Sequence, residues 1–112
     1  MALITVSSVP GQTAVNVTAA AVASTDTIAA ADIGGGGVLL QVINGSGGSI
    51  NVTISDPNTT AVGNPGTTSA QAVANGADRW FRILPGHVSP ATGLATVAYS
   101  GTTSVTYKAI KA

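Results

Sequence analysis

Hydrophobic and polar residues alternate along several short stretches of the chain, which is typical of β-strands that bury one face. The clearest stretch is Ile50 to Ile54, where three aliphatic residues alternate with Asn51 and Thr53. The run 38–43 just before it is apolar on both faces, which predicts a central strand covered on both sides. Six turn-forming residues, 44–49, separate the two runs. We therefore predict a β-hairpin across them.

Further short strands are predicted at intervals of roughly ten residues, with Gly- and Pro-rich turns between them. The last two of these strands are predicted to form a second hairpin. The chain of 112 residues is long enough for one domain, 1–112, with residues 1–12 as a candidate extended arm. The pattern predicts an all-β, antiparallel β-sandwich of seven or eight short strands, either jelly-roll or immunoglobulin-like. The further strands are 14–22, 68–74, 79–84, 94–100 and 103–110, with 3–6 as either a strand or an extended arm and 27–30 as an additional candidate.

Charge is unusually scarce in this chain. Charged residues make up 7% of the sequence, against about 25% in an average domain, and four Asp balance four basic residues. A soluble monomer usually carries some net charge. Two interpretations remain open: a surface made polar by Ser, Thr and Asn, or a surface covered by copies of the chain or by a partner. Since there is no basic patch, we expect no nucleic-acid partner.

The first residues contain neither the basic start nor the long apolar core of a secretory signal peptide. No apolar run approaches the ~20 residues that a membrane-spanning helix requires. We therefore expect synthesis in the cytoplasm and no membrane partner.

Candidate chemistry is sparse. The chain has no cysteine, and its single histidine, His87, lies in a predicted turn where we expect it to pack a loop. The nearest acidic pair, Asp26 and Asp32, could share one loop and bind calcium weakly. The glycine run 34–37 precedes a strand and has no Lys after it, so a close backbone approach or a flexible loop is expected there rather than a phosphate site. We expect no enzyme activity, no cofactor, no metal and no small-molecule substrate.

The densest chemical cluster is Arg79-Trp80-Phe81-Arg82, which contains the only Trp, the only Phe and two of the four basic residues. In a strand, Trp80 and Arg82 share one face, and Phe81 and Ile83 share the other. Under one interpretation, one aromatic ring anchors the core and the other packs beneath a loop. Under the other, the face with Trp80 and Arg82 is exposed and docks a partner, because Trp and Arg are common interface anchors.

Several segments together resemble a known family. They are Val-Leu-Leu-Gln-Val-Ile-Asn-Gly-Ser-Gly-Gly-Ser-Ile-Asn-Val-Thr-Ile, Ala-Asn-Gly-Ala-Asp-Arg-Trp-Phe, Ala-Thr-Val-Ala-Tyr-Ser and Thr-Ser-Val-Thr-Tyr-Lys-Ala-Ile, in this order between about 26 and 110. The pattern resembles head decoration (cement) proteins of tailed bacteriophages, which are encoded beside the major capsid protein. The resemblance implies a non-enzymatic homotrimer that binds the major capsid protein on the outside of the virion, at or near three-fold positions.

On this hypothesis the protein clamps neighbouring capsid subunits through four segments: the N-terminal arm, the glycine run, the loop 56–66 and the strand that carries Trp80. Two alternatives remain: another virion module (tail tube, tail fibre or head fibre), or a β-sandwich that binds carbohydrate or a cell surface. The candidate interface residues are Leu3, Ile4, Val6, Gly35, Gly36, Pro57, Pro65, Arg79, Trp80 and Arg82.

Overall fold

The computed structural model describes residues 2–9, 11–12, 14–33, 36–56, 62 and 70–111. These residues form nine strands and two short 3₁₀ turns, at Ala30–Asp32 and Pro85–His87, and none of them lies in an α-helix. The all-β prediction is confirmed. The strands are β1 (Ala2–Leu3), β2 (Ala20–Ala21), β3 (Thr25–Ala29), β4 (Val38–Asn44), β5 (Ile50–Ile54), β6 (Ala70–Val73), β7 (Asp78–Ile83), β8 (Leu94–Tyr99) and β9 (Val105–Lys111).

The strands form two sheets packed as a sandwich. The front sheet has the order β2-β9-β4-β7, and the back sheet has the order β1-β3-β8-β5-β6. Strand β2 pairs with β9, β3 with β8, β4 with β7 and β5 with β6, each pair antiparallel. The pairs are nested along the chain: β2 with β9, then β3 with β8, β4 with β7 and β5 with β6. Successive pairs lie alternately in the front sheet and in the back sheet. This is the strand order of a jelly roll, with β1 added in parallel beside β3.

Both predicted hairpins are wrong in their pairing. Strands β4 and β5 lie in different sheets, and so do β8 and β9. The turn residues that separate them form corners between the two layers of the sandwich. A turn signal shows that the chain reverses, but it does not show which strand becomes the hydrogen-bonded neighbour.

Several predicted strands differ in extent, and one differs in burial. The candidate strand 3–6 is observed as Ala2–Leu3, and the candidate 27–30 as Thr25–Ala29. Of the predicted strand 14–22, only Ala20–Ala21 pairs in a sheet. The predicted strand 68–74 begins at Ala70 within the described residues. Strand β4 is central, between β9 and β7, but only its inner face is fully buried, while Leu39 and Ile43 on its outer face are half-buried.

The core lies between the two sheets and consists mainly of Val, Ile and Leu. Val38, Leu40 and Val42 of the front sheet and Val52 and Val97 of the back sheet are fully buried. β-branched Val and Ile side chains fill most of the space between the two packed sheets, and Tyr99 and Tyr107 are the buried aromatic residues among them.

The N-terminal segment closes one side of the sandwich and is not a free arm. The Ile4 amide donates to the carbonyl of Thr27 in the back sheet (2.7 Å). Ser7 exchanges hydrogen bonds with the backbone of β9 in the front sheet, donating to Ala109 (3.0 Å) and accepting from Lys111 (2.9 Å). The segment therefore fastens one sheet to the other.

The other side of the sandwich is more open. Strands β6 and β7 are the last strands of the back and front sheets, respectively. All residues of β6 except Val73 are exposed, and in β7 only Phe81 and Ile83 are buried or half-buried. This side, between two sheet edges, carries the candidate site.

Candidate protein-docking site

Strand β7 presents its two aromatic rings to opposite sides. Ile83 is fully buried and Phe81 packs against the core, because they lie opposite Val38 and Leu40, whose side chains face inward. Trp80 points the other way and is 54% exposed. The face assignment made from the sequence is confirmed, and the exposed ring is the tryptophan.

Trp80 stands on the outer face of the front sheet, which we call the front face. On this face, residues that pair across β7, β4 and β9 form three rows. The rows contain half-buried aliphatic side chains next to polar and charged ones. Isolated exposed aliphatic residues are ordinary on a protein surface, but a continuous group that includes a tryptophan is typical of an interaction surface. The rows are Asp78–Ile43–Thr106, Trp80–Gln41–Lys108 and Arg82–Leu39–Ile110.

Hydrogen bonds hold two charged side chains in place at the edge of the front face. The Gln41 side-chain amide donates to the Asp78 carboxylate, and the Arg82 guanidinium donates to the Gly36 carbonyl. Arg82 therefore connects β7 to the glycine run. A side chain that is held before binding loses less conformational entropy when a partner docks.

Gly37 brings the glycine run against β7. Its φ is +85°, and a Cβ atom added there would lie 2.5 Å from the carbonyl oxygen of Ile83. Only glycine combines this backbone conformation with so close an approach. The expected close backbone approach is confirmed at Gly37, whereas the candidate residues Gly35, Pro57 and Pro65 lie outside the described residues.

A cleft of about 460 Å³ runs along β7 between the two sheets. Val52, Ile54 and Phe81 give it apolar lining, and Gln71 and Arg79 line it with polar groups. Gln71 pairs with Val52, so both side chains lie on the inner face of the back sheet. None of the described residues that line the cleft is acidic, so the cleft is positively charged.

His87 packs the turn that follows β7. Its ring Nδ1 accepts a hydrogen bond from the Leu84 amide (3.0 Å), and its own amide donates to the Leu84 carbonyl (2.9 Å). The expected loop-packing role is confirmed, and this contact assigns the proton of the neutral ring to Nε2.

The structure does not bring Asp26 and Asp32 into one loop, as the calcium alternative requires. Asp26 shares the inner face of β3 with Ile28 and is 1% exposed, while Asp32 lies in the 3₁₀ turn outside the core. Across the described ranges, no group of three or more His, Cys, Asp or Glu residues could hold a metal ion. The alternation of Asp26 with Ile28 was the available signal that the carboxyl group faces inward.

Asp26 instead forms a buried polar cluster with Tyr99. The carboxylate accepts a hydrogen bond from the Ala23 amide (3.3 Å), and burial raises the pKa of Asp26. Burial also raises the pKa of Tyr99, and the nearby Asp26 charge raises it further. The Tyr99 hydroxyl is buried without a hydrogen-bond partner among the described residues. The cluster lies inside the sandwich and is separate from the front face.

The structure brings some candidate residues together and separates others. Gly36, Arg79, Trp80 and Arg82 lie together along β7. The N-terminal candidates lie beside β3 and β9, at the other side of the sandwich. Ile4 is 1% exposed and Val6 packs against the core, so of these three candidates Leu3, 61% exposed, has the exposed side chain.

The sequence did not point to the aliphatic residues around Trp80. Leu39 and Ile43 were assigned to a strand covered on both faces, and Ile110 was not singled out. Their spacing of two residues places them on one face, but the sequence alone does not show how fully that face is covered.

Comparisons with protein-family models, with curated proteins and with solved structures found no match to this chain. In the part of the chain that the structure describes, no helix is long and apolar enough to span a membrane.

Proposed function

We propose that this protein is a structural component of a phage virion that binds the outer surface of the capsid and clamps neighbouring major capsid subunits. The observation that carries the proposal is the front face: an exposed tryptophan, ordered charges beside it and half-buried aliphatic residues, all on a paired β-sheet. The resemblance to head decoration proteins adds the identity of the partner.

The composition of the front face suits docking on another protein. Trp and Arg are the side chains most often found at the energetic centre of an interface, where they bury a large area in a few fixed conformations. Trp80 has Arg82 two residues away on the same face, with the aliphatic chains of Leu39 and Ile110 in the neighbouring row. A partner would cover these residues and remove their apolar surface from water.

The jelly roll is compatible with this role without specifying it. Folds of this class build viral coat and lectin domains, among others, so the fold alone is an analogy. A capsid surface repeats the same binding site many times. A protein that contacts two adjacent capsid subunits at once can therefore hold them together even when each contact is weak.

The test is co-sedimentation of the purified protein with empty heads assembled from the major capsid protein encoded nearest to its gene. We expect saturable binding of the wild-type protein. We expect Trp80→Ala to weaken it by about 2 kcal/mol, or ~30-fold, since the variant removes the central side chain of the front face.

Val15→Ala is the control, because Val15 is also a partly exposed apolar residue (41%) but belongs to none of the three rows of the front face. It should bind heads as the wild type does. Failure of the wild-type protein to sediment with heads, or equal losses for the two variants, would contradict the proposal.

The cleft favours a second candidate function, the binding of carbohydrate. Phe81 offers an aromatic lining on the inner face, and Gln71 and Arg79 offer hydrogen-bond donors to hydroxyl or carboxylate groups. A glycan array read by protein binding tests it. Binding of a defined saccharide that is lost in Gln71→Ala would support this function, and an array with no bound glycan would contradict it.

A further inference from the structure

We infer that β7 pairs edge to edge with β7 of a second copy of this chain, antiparallel and centred on Trp80, so that two front sheets join into one eight-stranded sheet. This inference concerns the protein alone in solution and does not depend on the proposed capsid function. It predicts a dimer in place of the homotrimer that the resemblance to decoration proteins implies.

Among the described residues, no strand pairs with the outer edge of β7, which makes this edge suited to strand addition. It is the last strand of the front sheet, and its six residues include neither Pro nor Gly. Edge strands are commonly protected from pairing by Pro, by bulges or by a covering segment. Here four of the six residues of β7, namely Asp78, Arg79, Trp80 and Arg82, are exposed.

Symmetry restricts how two copies of β7 can pair. A two-fold axis perpendicular to the sheet makes neighbouring strands antiparallel and keeps the front faces of both copies on the same side. Two residues that lie opposite each other must then point to the same face. Because faces alternate along a strand, both residue numbers are odd or both are even. The relevant registers are centred on Arg79, Trp80, Phe81 or Arg82.

Only the register centred on Trp80 pairs every acidic residue of the strand with a basic one. It places Asp78 opposite Arg82 of the second copy, and it does so twice because of the symmetry. Trp80 meets Trp80 on the front face, and Arg79 lies opposite the ring of Phe81 on the inner face. Directly opposite side chains lie about 5 Å apart at Cβ, which suits an ion pair, a ring pair and a cation–π contact.

The neighbouring registers are poorer. Centring on Arg79 or on Arg82 places an arginine opposite itself, which opposes like charges. Centring on Phe81 leaves Asp78 without a basic residue opposite it. Strand β6, the corresponding edge of the back sheet, contains no charged residue, so its approach to the second copy opposes no like charges.

The dimer also fits the scarcity of charge. Three of the eight charged residues of the chain lie within the six residues of β7. In the register centred on Trp80, two of these three form ion pairs between copies. The joined sheet doubles the front face and places the two tryptophans beside the symmetry axis.

The experiment is sedimentation equilibrium of the full chain over a range of concentrations, with charge exchange at β7. The wild-type protein should be a dimer. Asp78→Arg and Arg82→Asp should each weaken dimerisation by about tenfold or more, because each variant places like charges opposite one another at two symmetric positions. The double variant, Asp78→Arg with Arg82→Asp, should restore the dimer, since the ion pairs form again with their signs exchanged.

Asp32→Arg is the matched control, because it makes the same change of charge in a 3₁₀ turn away from β7, and it should remain dimeric. Circular dichroism checks that each variant is folded. A wild-type monomer at every concentration, a trimer, a dimer insensitive to both single exchanges, or a double variant that does not recover would each overturn the inference. Trp80 is the only tryptophan, so its fluorescence should shift to shorter wavelength as the protein associates.

Discussion

At the scale of single residues, Gly37 shows how a backbone requirement positions the docking site. Its positive φ and its contact with the Ile83 carbonyl hold the glycine run against β7, where Gly36 accepts the hydrogen bond from Arg82. Gly47 also has a positive φ (+92°) but has open space around it. Replacing each glycine by alanine therefore separates two effects on stability. Both variants strain the backbone, but only the Gly37 variant also brings a Cβ atom into close contact.

We expect Gly47→Ala to lower the free energy of unfolding by about 1 kcal/mol, from backbone strain alone. Gly37→Ala should cost about 2 kcal/mol more, because the new Cβ forces β7 away from the glycine run. Urea unfolding followed by Trp80 fluorescence measures both. Equal losses for the two variants would show that the close approach does not hold in solution.

Asp26 makes the stability of the protein depend on pH. Burial raises its pKa in the folded protein above the ordinary value of 3.8. The window lies between the unfolded-state pKa of Asp26 and its higher folded-state pKa. In this window the folded state binds more protons than the unfolded state, so the contribution of Asp26 to stability falls as pH rises.

We expect the contribution of Asp26 to raise the melting temperature as pH is lowered from 7 toward 4. Asp26→Asn should remove this contribution, since the amide oxygen can still accept the Ala23 hydrogen bond but the side chain no longer titrates. Thermal unfolding at several pH values, with Asp32→Asn as the control, measures it. A pH dependence that is the same in Asp26→Asn and the wild type would contradict the assignment.

At the scale of elements, the sequence predicts the strands better than their partners. The alternation in β5 placed the correct face inward, and in β7 it correctly placed Trp80 and Arg82 on one face and Phe81 and Ile83 on the other. Asn75-Gly76, a dipeptide typical of tight turns, lies in a turn where Gly76 has a φ of +77°. The pairing failed because a corner between two sheets and a hairpin within one sheet use the same turn residues. Whether a turn becomes a corner or a hairpin depends on strands that are distant in the chain. Strand β4 pairs with β7 and β9, and β5 is not its neighbour.

Asn44 stabilises the corner between β4 and β5. Its side-chain amide is buried and donates to the carbonyls of Gly48 (2.8 Å) and Val73 (2.8 Å), and its oxygen accepts from the Ser46 amide (2.9 Å). The sequence placed Asn44 in a turn but gave no sign of its contact with Val73, which is 29 residues away in the chain.

We expect Asn44→Ala to lower the free energy of unfolding by about 3 kcal/mol, because it leaves buried backbone groups without partners. Asn75→Ala is the control. Asn75 accepts one hydrogen bond from the Gly47 amide (3.0 Å) at an exposed position, and its loss should cost less than about 1 kcal/mol. Chemical unfolding of both variants makes the comparison, and a loss of similar size in each would contradict the role of Asn44.

At the scale of the whole molecule, the scarcity of charge gains a structural meaning. The sequence left open whether the surface is simply polar or is covered by partners. The structure shows that three of the eight charged residues lie in one edge strand, and that aliphatic side chains lie partly exposed beside them on the front face. This distribution favours a surface with one specific contact region over a uniformly polar one.

The candidate site could be predicted only in part. Trp80 and Arg82 were found because they share one face of a strand, and Arg79 because it belongs to the same dense cluster of basic and aromatic residues. Ile4 was misplaced because a short apolar segment near a chain end can be an arm or a core strand. Only the contact with Thr27 and the bridge to β9 decide between these alternatives.

The most direct measurement of the proposed docking is a cryo-electron microscopy map of capsids saturated with the protein. The front face predicts density on the outer surface of the shell, with the sheet β2-β9-β4-β7 toward the capsid and Trp80 at the contact. Capsids that bear no added density, or density in which the front face points toward solvent, would contradict it.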